Sequence, residues 1–169
     1  MIQRLDSVEE DLVQLSQLLH ACVEAGASIG FIAPFTLKDA ETFWLQSVSP
    51  GVASGTRKLF VARTNDSVVG TVQLLTAMPA NQPHRAEVAK LMVHPTARNQ
   101  GIAKALMAVV EQEARREGRT LLVLDTQTGS TAEPLYQSLG YQFVGVIPGY
   151  ARNVHDPQRH STSIYYKNL

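Results

Sequence analysis

Residues 86–107 read AEVAKLMVHPTARNQGIAKALM. The first part, 87–93, is mostly apolar, as a strand within a sheet must be, and Pro95 stops it because the proline ring removes a ladder donor. Residues 94–101 turn, and beyond them Ile102, Leu106, Val109 and Val110 recur at helical spacing. Arg98-x-x-Gly101-x-Ala103 therefore falls where the strand becomes a helix. Small residues at that point let a ligand approach the backbone, and the first N–H groups of a helix have no partner within it. Such a start suits an anion, best a phosphate or pyrophosphate.

Working outward, residues 121–124 (LLVL) form a continuous apolar run, the pattern of a strand covered on both faces, and it ends in Asp125-Thr126. Residues 131–139 can form a short helix, with Pro134 tolerated in its first turn and Gly140 at its end. Residues 141–147 and 163–167 read as two further strands on either side of a polar stretch. Upstream, residues 58–63 and 68–75 flank Thr64-Asn65-Asp66-Ser67 as a hairpin, though not of the tightest kind. Residues 2–5 can form a first strand. Ser7 and Glu10 have the spacing of a capping box, and Leu12, Leu15, Leu19, Cys22 and Val23 form one helical stripe that stops at Gly26. A second helix spans 36–48, capped by Thr36, with Leu37, Ala40, Phe43, Trp44 and Val48 inward and Ser49-Pro50-Gly51 as its break. The order is strand, two helices, three strands, helix, strand, helix, two strands. It predicts a mixed α/β sheet rather than a regular βαβ alternation.

A chain of 169 residues suffices for one domain with a substantial core, so residues 1–169 are read as a single domain. Fifteen basic residues balance fifteen acidic ones, which gives no electrostatic case for nucleic acid or an anionic membrane. The single Cys22 excludes an internal disulfide and a cysteine zinc cluster, and its place on the helical stripe makes it a core residue. His155 and His160 beside Asp156 lack a third strong ligand, so no metal is expected. No membrane span or signal-peptide pattern is visible, and a cytoplasmic protein is the expectation.

The Val93-His94-Pro95 lead-in, Arg98, Gly101 and Ala103 resemble motif A of the GNAT acyl-CoA-dependent N-acetyltransferases, with Ala103 where many members carry glycine. Leu135-Tyr136-x-x-Leu139-Gly140-Tyr141 resembles motif B of the same family. The resemblance covers nearly the whole chain. At Gly26-Ala27-Ser28-Ile29-Gly30-Phe31, Arg85-Ala86-Glu87-Val88 and Leu124-Asp125-Thr126 it is closer still to the tabtoxin-resistance branch, whose substrate is an amino-acid toxin containing a β-lactam. It implies a central twisted mixed sheet flanked by helices, with acetyl-CoA as co-substrate. Leu91, Met92, Val93, Arg98, Asn99, Gln100, Gly101, Ile102, Ala103, Lys104 and Tyr136 would bind the coenzyme, and the Val93 N–H would serve the oxyanion. Ser28 and Phe31, on a loop that overhangs the acceptor pocket, would meet the acceptor together with Glu87 and Asp125. Many members pair through C-terminal strands, which implies a homodimer.

Acetyl transfer to an amine needs a group that takes the ammonium proton, a donor to the carbonyl oxygen and an acid for the leaving thiolate. Glu87 opens the central strand. Asp125 closes the next buried strand, an end where sheets of this kind form ligand crevices. Tyr136 carries a phenol that is protonated at neutral pH, its unperturbed pKa being ~10. These three are the expected catalytic residues. His94 is a weaker base candidate, and Arg152 and Arg159 are candidates for a substrate carboxylate. The reading is an acetyl-CoA-dependent N-acetyltransferase acting on a small primary amine, amino-acid-like or an antibiotic or toxin. The alternatives are acetylation of a peptide or protein amine, and a coenzyme-A-binding regulatory domain without turnover.

Overall fold

The computed structural model describes residues Met1–Leu169. Seven strands form one sheet: β1 (Ile2–Leu5), β2 (Arg57–Thr64), β3 (Ser67–Leu75), β4 (Arg85–Val93), β5 (Leu121–Gln127), β6 (Gln142–Arg152) and β7 (Arg159–Asn168). Their spatial order is β1-β2-β3-β4-β5-β7-β6. Only β4 and β5 run parallel. The helices are α1 (Leu12–Glu24), α2 (Leu37–Thr42), α3 (Ser49–Ala53), α4 (Ile102–Arg116) and α5 (Ala132–Ser138). The mixed α/β class expected from the sequence is borne out. No helix is long and apolar enough to cross a membrane.

Successive side chains of a strand face opposite ways, so an uninterrupted apolar strand must be covered twice. In β2, Leu59 and Val61 join a core with Leu15, Leu19 and Trp44, whereas Phe60 and Ala62 join one with Leu106, Met107 and Val110 of α4. Trp44 is wholly buried, and truncating a side chain of that size in a filled core costs on the order of 3–5 kcal/mol. Cys22 lies in the first core as expected, where burial pushes its thiol up.

α4 is also pinned by charge. Its acidic residues, and one just beyond it, receive cations from three strands: Arg4 Nη1 to Glu113 at 3.1 Å, Lys58 Nζ to Glu117 at 2.7 Å and Lys167 Nζ to Glu111 at 2.7 Å. Gly70 on β3 sets its closeness to the sheet. A Cβ there would meet the Met92 carbonyl oxygen at 3.0 Å and Ile102 Cγ2 at 3.1 Å. The start of α4 can thus settle onto the end of β4.

Several local expectations are corrected. Ser7 and Glu10 form no capping box: Ser7 Oγ donates to Glu9 Oε2 at 2.6 Å instead, and no side chain caps α1. The proline at 50 does not end the second helix: a widened turn at Phe43–Val48 precedes it and α3 follows. Widening fits the place where a proline ring would otherwise crowd the carbonyl four residues back. Leu37 is exposed rather than inward. The β2–β3 turn is a tight two-residue one, since Asn65 (φ 48°) and Asp66 (φ 63°) both adopt the left-handed conformation that type I′ turns require. Ser163-Ile164-Tyr165-Tyr166 is not at an edge. β7 lies between β5 and β6, and β6 is the edge strand on that side of the sheet.

Candidate active site

β4 and β5 pair only at Arg85↔Leu121, Ala86↔Leu122 and Glu87↔Val123. Beyond that point they splay, with a bulge in β4 where Gln73 pairs Ala89 but Thr71 pairs Met92. The splay opens a cleft of about 870 Å³ lined by both strands, the start of α4, α5, the loop after α1 and the ends of β6 and β7.

At one end of the cleft the chain turns from β4 into α4. Asn99 (φ 62°) and Gly101 (φ 77°) are left-handed, and no side chain caps α4. A Cβ on Gly101 would meet nothing within 4 Å, so the surface above the first turn is open. Its N–H groups, with Arg98 and Lys104 beside them, form a cationic and hydrogen-bond-donating end that fits a pyrophosphate. Leu91, Met92, Val93, Arg98, Asn99, Gly101, Ile102, Ala103, Lys104 and Tyr136 all line the cleft. Gln100 does not. The left-handed residues on either side direct it to a separate hollow beside Met1, Ile2 and Thr64. His94 Nδ1 is engaged by Thr96 Oγ1 at 2.8 Å, a local cap rather than a cleft residue.

The other end of the cleft lies on the sheet face covered by α1 and α2. Leu122 and Leu124 belong to the α4-side core, so Val123 and Asp125 face the opposite way, as Glu87 does. Asp125 stands two residues beyond the Glu87↔Val123 level, about 7 Å further along the cleft. Its Oδ2 accepts from Thr162 Oγ1 at 2.9 Å. Glu87 is held by Arg85, Nη1 to Oε1 2.6 Å, with its carboxylate half-exposed. Tyr136 enters from α5 with its ring against Tyr141 and Tyr165, centroids 5.8 and 6.2 Å away. Burial first, and then the charge of Asp125, push its phenol far above the ordinary tyrosine range.

Ser28 lines the cleft, and its Oγ lies 2.7 Å from His160 Nε2, which ties the loop after α1 to β7. Phe31, expected at the acceptor, instead packs against Phe35 and Phe43 with centroids 4.7 and 5.1 Å away, outside the cleft. Arg152 and Arg159 face each other at the mouth of the β6–β7 hairpin and do not line it either. Lys90, Thr162 and His160 do line it. For Lys90 a signal was present in the sequence, a lone charge within Val88-Ala89-Lys90-Leu91-Met92-Val93.

Residues 55–143 match the model of the acetyltransferase (GNAT) domain. An uncharacterized N-acetyltransferase of Azospirillum brasilense, from the hisH–hisA intergenic region, is 32% identical over 137 residues, 79% of each chain. Human N-acetyltransferase 8B is 42% identical over 91 residues, which are 51% of this chain and 39% of the human one. In fold, the chain is similar to ribosomal-protein-alanine N-acetyltransferase of Brucella melitensis, with a TM-score of 0.82 at 23% identity over 100% and 99% of the two chains. It is also similar to a Salmonella typhimurium acetyltransferase solved with acetyl-CoA, with a TM-score of 0.78 at 17% identity over 99% and 94%. The chain belongs to the GNAT family of acetyl-CoA-dependent N-acetyltransferases.

Proposed function

We propose that the protein acetylates the primary amine of a small, amino-acid-like molecule, with Asp125 and Glu87 receiving the ammonium and its proton and Tyr136 serving the thiolate. The observation that carries this reading is that Asp125 and Tyr136 line the same cleft at the splay. One is a carboxylate on the acceptor face, the other a buried phenol whose proton that carboxylate helps to retain. Bound acetyl-CoA supplies the thioester: the amine nitrogen bonds to the acetyl carbon as the carbon–sulfur bond breaks. Asp125, with Glu87 next to it along the same face, takes the proton that the ammonium must lose. The Val93 N–H is aimed to stabilise charge on the carbonyl oxygen. His94 donates to Val69 O on β3 at 2.8 Å, so the preceding N–H of an extended chain points the other way, toward the splay. Tyr136 gives its proton to the departing sulfur, and the second proton shed by the acylated nitrogen restores the phenol.

A small acceptor is favoured by the Ser28–His160 contact, which ties the loop after α1 to β7 within the lining of the cleft. The resemblance of Arg85-Ala86-Glu87-Val88 and Leu124-Asp125-Thr126 to the tabtoxin-resistance branch favours an amino-acid-like one. Thiol release from acetyl-CoA, measured over a panel of amino acids, antibiotics and other primary amines beside short peptides, tests the reading. The expected result is turnover of an amino-acid-like amine. Turnover confined to peptides, or none at all, overturns it.

We also propose a homodimer, formed through β6 rather than through the interior β7. Phe143, Val144, Val146 and Ile147 are exposed on this edge strand, an arrangement that invites a second strand. Light scattering at micromolar concentration is expected to give twice the chain mass, and Val144→Glu with Val146→Glu to halve it. A monomer mass for the unaltered protein ends this proposal.

A further inference from the structure

Lys90 sits in the β4 bulge with φ 53°, in the left-handed region that a lysine rarely adopts, and it lines the cleft. Its Nζ donates to Ile29 O at 2.6 Å and lies 5.6 and 5.9 Å from the ring centres of Phe31 and Phe43. Gly30 leaves the room for it, since a Cβ there would come within 3.2 Å of Nζ. An ammonium has three donors, and Ile29 takes one.

A cation withdrawn from water is costly unless an anion answers it. Burial pushes Lys90 below the usual lysine range, with the charge of Asp125 opposing. Yet no ion pair of the protein includes Lys90, nor Arg57 at the start of β2, which adds to the positive potential. Arg57 donates to Gln73 Oε1 at 2.8 Å, and the wholly buried Gln73 Nε2 has no partner. Of the carboxylates of the acceptor end, Glu87 is paired with Arg85, and Asp125, whose charge reaches Lys90, forms no ion pair and accepts from Thr162 Oγ1. The other cations flanking the cleft, Arg98 and Lys104, stand at the start of α4. By register, Asp125 is level with the Ala89–Lys90 bulge across the splay.

We propose that Lys90 is the receptor for a carboxylate on the acceptor, so that the acceptor carries both an amine, directed to Asp125, and a carboxylate, directed to Lys90. This rests on the reading of the cleft as a small-amine site and narrows it to amino acids.

The test measures thiol release with the twenty proteinogenic amino acids, each beside its carboxamide and its decarboxylated amine. For the preferred amino acid, kcat/KM is expected to exceed that of the carboxamide by about 30-fold or more, the loss typical of an unpaired partner in a desolvated charge pair. Lys90→Met should bring that ratio close to one, and Lys90→Arg should keep part of it. If Lys90 only clasps the loop after α1, Lys90→Met lowers both substrates together and preserves the ratio, which overturns the proposal. A wild type indifferent to the carboxylate also overturns it, while leaving the small-amine reading intact. If no member of the panel turns over, that reading fails. The melting temperature of the coenzyme-A complex with the same compounds then decides. A rise specific to the carboxylates and lost in Lys90→Met upholds the receptor, and no such rise removes it.

Discussion

Gly101→Glu is expected to abolish the rise in melting temperature that acetyl-CoA gives the unaltered protein. A ligand bound only to the native state at a hundred times its Kd stabilises by about 2.7 kcal/mol, which for a chain of this size is a shift of roughly 5–10 °C. Gly101 is left-handed at the start of α4, and a Cβ added there meets no protein atom within 4 Å. Any substitution therefore carries a backbone penalty of about 1–2 kcal/mol but no clash within the protein. Gly101→Ala isolates that penalty: its own melting temperature falls by a few degrees while the shift with acetyl-CoA survives. Glu adds a negative charge over the N–H groups that the pyrophosphate would use. The charge itself suits a helix N-terminus, so the lost shift reflects occupation of the anion site rather than a weakened helix. Circular dichroism melting curves with and without acetyl-CoA measure both variants. An undiminished shift in Gly101→Glu would mean that this loop does not hold the coenzyme.

That loop was legible in the sequence because its determinants are local. A proline stops the strand, a glycine turns the chain, and apolar residues three and four apart make the helix. Cover on both faces of the sheet was legible for the same reason, through the apolar run at 121–124 and the stripe on α1. What could not be read depends on partners distant in sequence. At the bulge β3 offers one residue, Val72, where β4 has two, Lys90 and Leu91, and nothing within Val88-Ala89-Lys90-Leu91 announces it. The ion pairs that seat α4 join Glu111, Glu113 and Glu117 to residues 56, 109 and 59 positions away, respectively Lys167, Arg4 and Lys58. Phe31 was misplaced because its neighbours Phe35 and Phe43 compete for the same ring, and packing in an aromatic cluster outweighs exposure at the cleft. The edge was assigned to the wrong strand because β7 crosses between β5 and β6, an order that periodicity does not encode.

Asp125→Asn is expected to lower kcat by ~10²–10⁴-fold, the usual range for loss of a general base, with little change in acetyl-CoA affinity. Asparagine keeps the shape and can still meet the Thr162 hydroxyl, so packing around β5 and β7 is preserved while the proton acceptor is gone. Glu87→Gln should cost less. Glu87 stands about 7 Å back along the face and is already committed to Arg85, so in the proposed mechanism it only holds the incoming ammonium or relays through water. If the two share the duty, the double variant falls further than either single one, and each single variant alters the acidic limb of kcat/KM against pH. Tyr136→Phe keeps the packing against Tyr141 and Tyr165 and removes only the hydroxyl, so turnover falls while the coenzyme still binds. For an unperturbed phenol, with a pKa of ~10, the difference from Tyr136→Phe would shrink at high pH as the wild type lost the same proton. The buried site changes that expectation. Desolvation and the Asp125 charge raise the phenol pKa, so the proton is still bound where a free tyrosine has lost it. The loss should therefore be uniform across the working range, and any alkaline limb should belong to another group and persist in Tyr136→Phe. Three pH–rate profiles with one acceptor, alongside acetyl-CoA binding, measure all of this. Wild-type turnover and limbs in all three variants would make the constellation structural and leave an enzyme that only positions an already neutral amine against the thioester.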